Sequence, residues 1–203
     1  MFENFDWRLV VAITATVLTI IGYIPYFKDV FAKRTKPHIY TWMIWAITQG
    51  TATVALLYGG GKFGSMSLVI GTVLVLFIFG LSFKYGTKNI TKVDTITLIV
   101  ALSAIVVWWK LNNPLLAVIM ISMIDGLAYI PTIRKSYAEP YSETISFWII
   151  MAIVSTLTIV SNAEYNLLTV TYLSVLAVAN VATALVISIR RRAVQNPSTP
   201  AHS

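Results

Sequence analysis

Residues 23–42, YIPYFKDVFAKRTKPHIYTW, return in register as residues 129–148, YIPTIRKSYAEPYSETISFW. The Tyr-Ile-Pro triplet comes back, a basic residue stands three positions after each proline (Lys28, Arg134), and a tryptophan stands seventeen positions after each (Trp42, Trp148). Each copy lies where one apolar helix is expected to end, a short polar loop passes, and another apolar helix begins. Matches of Ile and Ala are cheap in an apolar chain. A proline, a tryptophan and the spacing between them are harder to match by chance. A duplicated helix–loop–helix is the pattern of repeat-built membrane carriers, whose halves rock about a shared central site.

Composition sets the broad class. Of 203 residues, 57% are hydrophobic and 11% charged, and the mean hydropathy is +0.77. A soluble domain carries about 25% charged residues, so this chain is expected to sit in lipid. Its apolar residues fall into seven blocks, about 9–31, 38–58, 66–85, 95–110, 115–137, 144–161 and 166–189. Each is near the roughly 20 residues that cross a bilayer. Backbone groups in lipid must satisfy one another and the alternation of a barrel is missing, so the blocks are expected to be helices. The expectation is an all-α integral membrane protein with a single membrane domain over residues 1–203 and no attached soluble domain. The polar tail within 193–203 is expected to be disordered and cytosolic. The absence of cysteine excludes disulfides and thiol chemistry.

The net charge of +7 is placed for a membrane rather than for nucleic acid. Seven spans put alternate loops on opposite sides. Twelve of the fifteen basic residues then fall on one side: Lys28, Lys33, Arg34, Lys36, Lys84, Lys88, Lys92, Arg134, Lys135, Arg190, Arg191 and Arg192. Arg8, Lys62 and Lys110 fall on the other. The positive-inside rule puts the C-terminus in the cytosol and the N-terminus outside, in a plasma (inner) membrane. Glu3 and Asp6 stand where a signal peptide would be basic, so the first helix is expected to be retained.

The repeat offset of 106 residues pairs the first two helices with the fifth and sixth. The third and seventh complete two triplets, 9–85 and 115–189, with 95–110 left as a linker helix. This is a 3 + 1 + 3 order of parallel repeats. Thr95, Thr97 and Ser103 are the linker's polar residues before Trp108 and Trp109, which read as an interfacial belt.

With that helix order, an outside N-terminus and prolines at 25 and 131, the chain resembles the SWEET and PQ-loop (MtN3-like) transporters. The resemblance implies a carrier of small polar, sugar-like solutes with no cofactor. The chain departs from the family pattern at several points. Tyr26 and Thr132 follow the prolines where the family carries glutamine. Asn180 matches a binding asparagine of the third helix of a triplet, but residues 66–85 offer only Thr72. Trp42, Trp45 and Trp148 lie nearer the cytosolic helix ends than the family's pocket tryptophan. Vitamin carriers of the PnuC type share the helix plan, which keeps nucleoside-like cargo open by analogy.

Pro25 and Pro131 each remove a backbone donor and crowd the carbonyl four residues earlier, at Ile21 and Leu127, so each helix is expected to kink near its cytosolic end. Gly22 and Gly126 add pliability, which makes a matched pair of gate hinges. At 1.5 Å rise per residue, Gln49, Asp125 and Ser155 fall near mid-bilayer, with Thr19 the repeat partner of Asp125 and Asn180 slightly further along its helix. Polar side chains at that depth are costly against lipid and are expected to line a cavity as substrate-binding residues. For Thr19, Thr72 and Ser155, bonding back to their own helix is the competing expectation.

Asp125 is the one ionisable group deep in a span, with no basic residue at its depth. Three roles are open for it: a proton carrier in an amino-acid or vitamin-type transporter, a neutral structural acid, or a binder of a cationic solute. Lys28, Lys33, Arg34 and Lys36 read as anchors for anionic headgroups. Asp29 is expected to pair with Lys33, and His38 to be a solvated helix-start residue. No metal-ligand cluster, phosphate loop or nucleophile–base pair is present in the sequence, so neither metal nor enzyme activity is expected. A facilitative carrier is the expected function, with a receptor or assembly subunit as the non-transporting alternative; homo-oligomerisation stays open.

Overall fold

The computed structural model describes residues 6–58, 65–108, 110, 114–161, 165 and 167–194. Among them it forms seven α-helices: α1 (Trp7–Phe31), α2 (Ile39–Tyr58), α3 (Ser65–Tyr85), α4 (Lys92–Trp108), α5 (Pro114–Ala138), α6 (Ile145–Val160) and α7 (Leu167–Ala193). A short 3-10 turn, Pro140–Ser142, precedes α6. The apolar blocks meet these limits to within four residues. Ala193 still closes α7, and residues 195–203 of the expected tail, like Trp109, lie outside the described residues.

Local chemistry explains several helix ends. Asp6 caps α1 by accepting from the Arg8 backbone N–H at 3.0 Å. Pro114 opens α5, where its missing N–H is unneeded. Thr91 and Asp94 cap α4 reciprocally: the Asp94 carboxylate accepts the Thr91 N–H at 2.7 Å, and the Thr91 hydroxyl oxygen accepts the Asp94 N–H at 3.4 Å. At the end of α1 the Arg34 N–H reaches the Asp29 carbonyl at 2.8 Å and the Lys33 N–H the Val30 carbonyl at 2.9 Å. That double closure needs a left-handed residue, and Lys33 supplies it at φ 58° in a position glycine usually takes. Pro25 and Pro131 lie within α1 and α5, which continue past them to Phe31 and Ala138.

The distribution of side chains is that of a protein in lipid. On α1, Val10, Ile13, Val17, Ile20 and Ile24 are exposed, while Thr16 and Thr19 are buried beside Ala12, Ala15 and Tyr23. Exposed aliphatic side chains likewise run along α4 (Ile96, Ile99, Val100) and α7 (Val178, Val181, Leu185), with Thr97, Asn180 and Thr183 turned inward. Apolar faces outward and polar faces inward reverse the order expected in water and suit hydrocarbon. Trp7–Phe31, Met66–Tyr85 and Val170–Ala193 are long and apolar enough to cross a membrane. The chain is a helical membrane protein.

Helix neighbours position the site. α3 packs against both α1 and α2, and α7 against both α5 and α6. The two groups meet where α1 packs on α6 and α2 on α5, while α4 lies against α5 and α2. Gly22 permits the first of these junctions. A Cβ there would stand 2.6 Å from Met151 Cε and 2.9 Å from Ile150 Cγ2, so this glycine serves close packing in addition to the pliability expected of it.

The α1–α2, α3–α4 and α5–α6 connections and the end of α7 gather at one end of the molecule, here called the basic face. The Lys36 N–H donates to the Ser142 carbonyl at 3.1 Å and the Thr87 N–H to the Pro37 carbonyl at 3.1 Å. Arg191 donates to the Pro140 carbonyl at 3.0 Å.

Candidate functional site

A cavity of about 100 Å³ lies between the two helix groups. Its polar wall carries Thr19 from α1, Gln49 from α2, Asp125 from α5, Ser155 from α6 and Asn180 from α7. These are five of the six candidate substrate-binding residues; the sixth, Thr72, comes from the family resemblance. Thr72 is not among the lining residues; its hydroxyl donates to the Leu68 carbonyl at 2.8 Å and lies 2.7 Å from the Thr53 hydroxyl. Thr19 and Ser155 do line the cavity, yet their protons go to their own helices, at Ala15 (2.9 Å) and Met151 (2.8 Å). These two hydroxyls therefore line the cavity while bonding back to their own helices.

Asp125 is 1% exposed. Tyr172 of α7 donates its hydroxyl to Asp125 Oδ2 at 2.8 Å, while Oδ1 has no hydrogen-bond partner among the described residues. The nearby Thr48 hydroxyl is committed to the Ile44 carbonyl at 3.0 Å. Asn180 Oδ1 accepts from the Tyr129 hydroxyl at 3.1 Å. Gln49 Nε2 sits over Gly71, 2.7 Å from where a Cβ would be, so the glycine makes room for the amide.

The other wall is aromatic: Tyr23, Trp45, Tyr129, Phe147 and Trp148 all line the cavity. Trp45 and Tyr129 pack edge to face at 4.7 Å, and Tyr23 and Phe147 at 4.9 Å. Trp42, fully buried, stands outside the lining, against Trp45 at 5.1 Å. Counting residues from helix ends placed Trp45 and Trp148 short of the pocket; their indole rings span that distance. Tyr23 and Tyr129 open the repeated sequence itself, so duplication was a usable signal for them. Tyr172 carried none beyond being aromatic in an apolar span.

Towards the basic face the structure is closed by buried polar contacts. Lys135 is fully buried, pairs with Glu143, and donates to the Lys36 carbonyl at 2.6 Å and the Ser142 carbonyl at 3.2 Å. Trp148 Nε1 donates to the other Glu143 oxygen at 3.2 Å. Across the same junction, Thr144 donates to Asp29 at 2.8 Å and Thr35 lies 2.5 Å from the Thr144 hydroxyl. Asp29 pairs with Arg34 at 2.6 Å and not with Lys33, because the left-handed turn at Lys33 brings Arg34 back over the helix end.

His38 is a second correction. It is 0% exposed where a solvated residue was expected. The α3–α4 loop, bonded through Thr87 to Pro37, together with α4 covers it. Its Nε2 lies 3.4 Å from Asp94, which is held by Arg134 at 2.6 and 2.8 Å. Burial pushes the His38 imidazole down to about 4, with Asp94 opposing the shift and Lys135 and Arg134 adding to it.

Among the described residues no cluster of His, Cys, Asp or Glu is arranged to hold a metal ion. What the geometry defines is a helical membrane protein with a partly open polar and aromatic cavity between its two helix groups. No known protein-family model, curated protein or solved structure matches the chain.

Proposed function

We propose that this chain is a membrane carrier that moves a small polar solute by alternating access. Its seven helices would all span the bilayer in a 3 + 1 + 3 parallel-repeat arrangement, with residues 9–85 and 115–189 as rocking bundles and α4 as the linker. The observation that carries this reading is the cavity. Its polar residues come from both helix groups, and on the basic face the path is closed by contacts that cross between those groups, Lys135 to Lys36 and Thr144 to Asp29. Parting the bundles there would open the cavity to the opposite side.

The matching neighbour order supports the repeat: α3 stands between α1 and α2 as α7 does between α5 and α6. Pro25 and Pro131 sit at corresponding heights as hinges. The plan resembles that of the SWEET and PQ-loop carriers, and a facilitative mechanism follows from it. The basic face would be cytosolic in an inner membrane. One observation, the unpartnered Asp125 Oδ1 in the cavity, favours a second reading in which that carboxyl also carries a proton.

The test is solute counterflow in liposomes with a panel of labelled polyols, sugars, amino acids and amines. Accumulation of any one against a preloaded unlabelled pool supports a carrier. A folded protein that moves none of them and binds a protein partner is an assembly subunit. For orientation, single cysteines at Lys88 and Lys110 start from a cysteine-free chain. An impermeant thiol reagent on intact cells should label position 110 and spare position 88; the reverse pattern inverts the topology. For the proton reading, Asp125→Asn should end pH-driven accumulation and spare exchange at equal pH.

A further inference from the structure

We infer that the solute bound in the central cavity is a small organic cation, an amine or quaternary ammonium ion, held between the Asp125 carboxylate and the aromatic wall. The inference rests on the carrier reading for its biology but on the cavity alone for its chemistry.

Among the described residues the lining holds one carboxylate and no lysine, arginine or histidine. Asp125 is 1% exposed, one of its oxygens is satisfied by Tyr172, and the other has no partner among the described residues. A buried carboxylate with half its hydrogen-bonding capacity unused is costly until a countercharge arrives. Among the described residues the protein presents no such countercharge to the cavity, so the ligand is the available source.

The remaining groups point the same way. The hydroxyl protons of Thr19 and Ser155 are spent on their own helices, so both present lone pairs to the cavity. Trp45, Tyr129 and Trp148 form a cluster with ring centroids 4.7 to 6.1 Å apart. Aromatic faces attract cations within about 6 Å, and tryptophan does so most strongly. The Gln49 amide is fitted against Gly71, and Trp45 Nε1 is a buried donor without a partner among the described residues. A cavity that sets ring faces beside one anion, with no cationic side chain among its described lining residues, selects a positive guest over a neutral polyol.

The test is equilibrium binding to the full chain in detergent at constant ionic strength, read by calorimetry and thermal shift. The probes are choline, tetramethylammonium and ethanolamine, against glucose and 3,3-dimethylbutan-1-ol, the uncharged isostere of choline. At least one cation should bind saturably and choline at least tenfold more tightly than its isostere. Asp125→Asn should weaken cation binding at least tenfold. If that variant fails to fold, the comparison of choline with its isostere on the native chain still decides. Equal affinity for the two, or saturable glucose binding with none for the cations, overturns the inference. Cation binding without flux of any solute would instead overturn the carrier reading and leave the cation site standing. Counterflow of an uncharged solute without cation binding would do the opposite.

Discussion

Asp29 and Lys135 occupy equivalent positions of the repeat, 106 residues apart, and each reaches across to the other repeat's loop. Asp29 accepts the Thr144 hydroxyl at 2.8 Å, and Lys135 donates to the Lys36 carbonyl at 2.6 Å. Opposite charges thus do the same task at matched sites, because one loop offers a hydroxyl proton and the other a carbonyl oxygen. Lys135 lies deeper and needs a countercharge, which Glu143 provides.

That burial sets the first expectation. Removing one member leaves the other charged and unpaired inside the protein, which costs roughly 3–5 kcal/mol. Lys135→Met and Glu143→Gln should each lower the melting temperature in detergent markedly. The double variant Lys135→Met/Glu143→Leu should be more stable than Lys135→Met alone. Strict additivity of the two losses would show that the pair is not coupled.

The two glycines that precede the helix prolines, Gly22 and Gly126, should respond in opposite directions. A methyl at Gly22 meets Met151 and Ile150 at 2.6 and 2.9 Å, whereas at Gly126 the nearest atom, Val175 Cγ1, is 3.6 Å away. Gly22→Ala should therefore be destabilised, with overpacking costing about 1–3 kcal/mol less whatever helix propensity returns. Gly126→Ala should gain up to about 1 kcal/mol from helix propensity. Thermal melts of the two variants compare them directly, and equal responses would contradict the packing described.

Much of this was legible in the sequence. Block lengths fixed the helices, because hydrocarbon thickness leaves little latitude, and a depth count found Gln49, Asp125, Ser155 and Asn180 without any contact information. What stayed hidden depended on side-chain reach or on loops folding over one another. Trp45 and Trp148 extend into a cavity their backbone positions did not suggest. His38 looked like an interfacial residue until the loop carrying Thr87 closed over it. The Asp29–Arg34 pair depends on a left-handed turn at Lys33 that no local residue preference announces.

His38 gives a pH dependence. Its imidazole is pushed down to about 4 by burial, below the 6.5 or so of an unfolded histidine. Between those values the unfolded chain binds the proton more readily than the folded one, so stability falls as pH drops from about 6.5 towards about 4. His38→Gln, which cannot take up a proton, should flatten that part of the melting-temperature profile. The contribution of Asp94 to acid unfolding would lie lower. A His38→Gln profile identical in slope to that of the native chain between pH 6.5 and 4 would remove His38 as the cause.

Thr35 and Thr144 offer a lock for the basic face. Their hydroxyl oxygens are 2.5 Å apart, and the residues belong to the loop after α1 and the start of α6, on opposite sides of the junction that alternating access must part. The chain contains no cysteine, so Thr35→Cys/Thr144→Cys gives a single defined pair, and oxidation should join it, since the side chains already meet at short range. The joined protein keeps the arrangement described here, with the cavity lined as before and the basic face shut. Cavity binding of the cation probe should then persist, while liposome flux should fall at least tenfold and return on reduction. Each single-cysteine variant under the same oxidant controls for loss of the hydroxyl contacts. Undiminished flux through the fully cross-linked protein would mean that solute passes without the bundles separating at this junction, and alternating access through it would have to be abandoned.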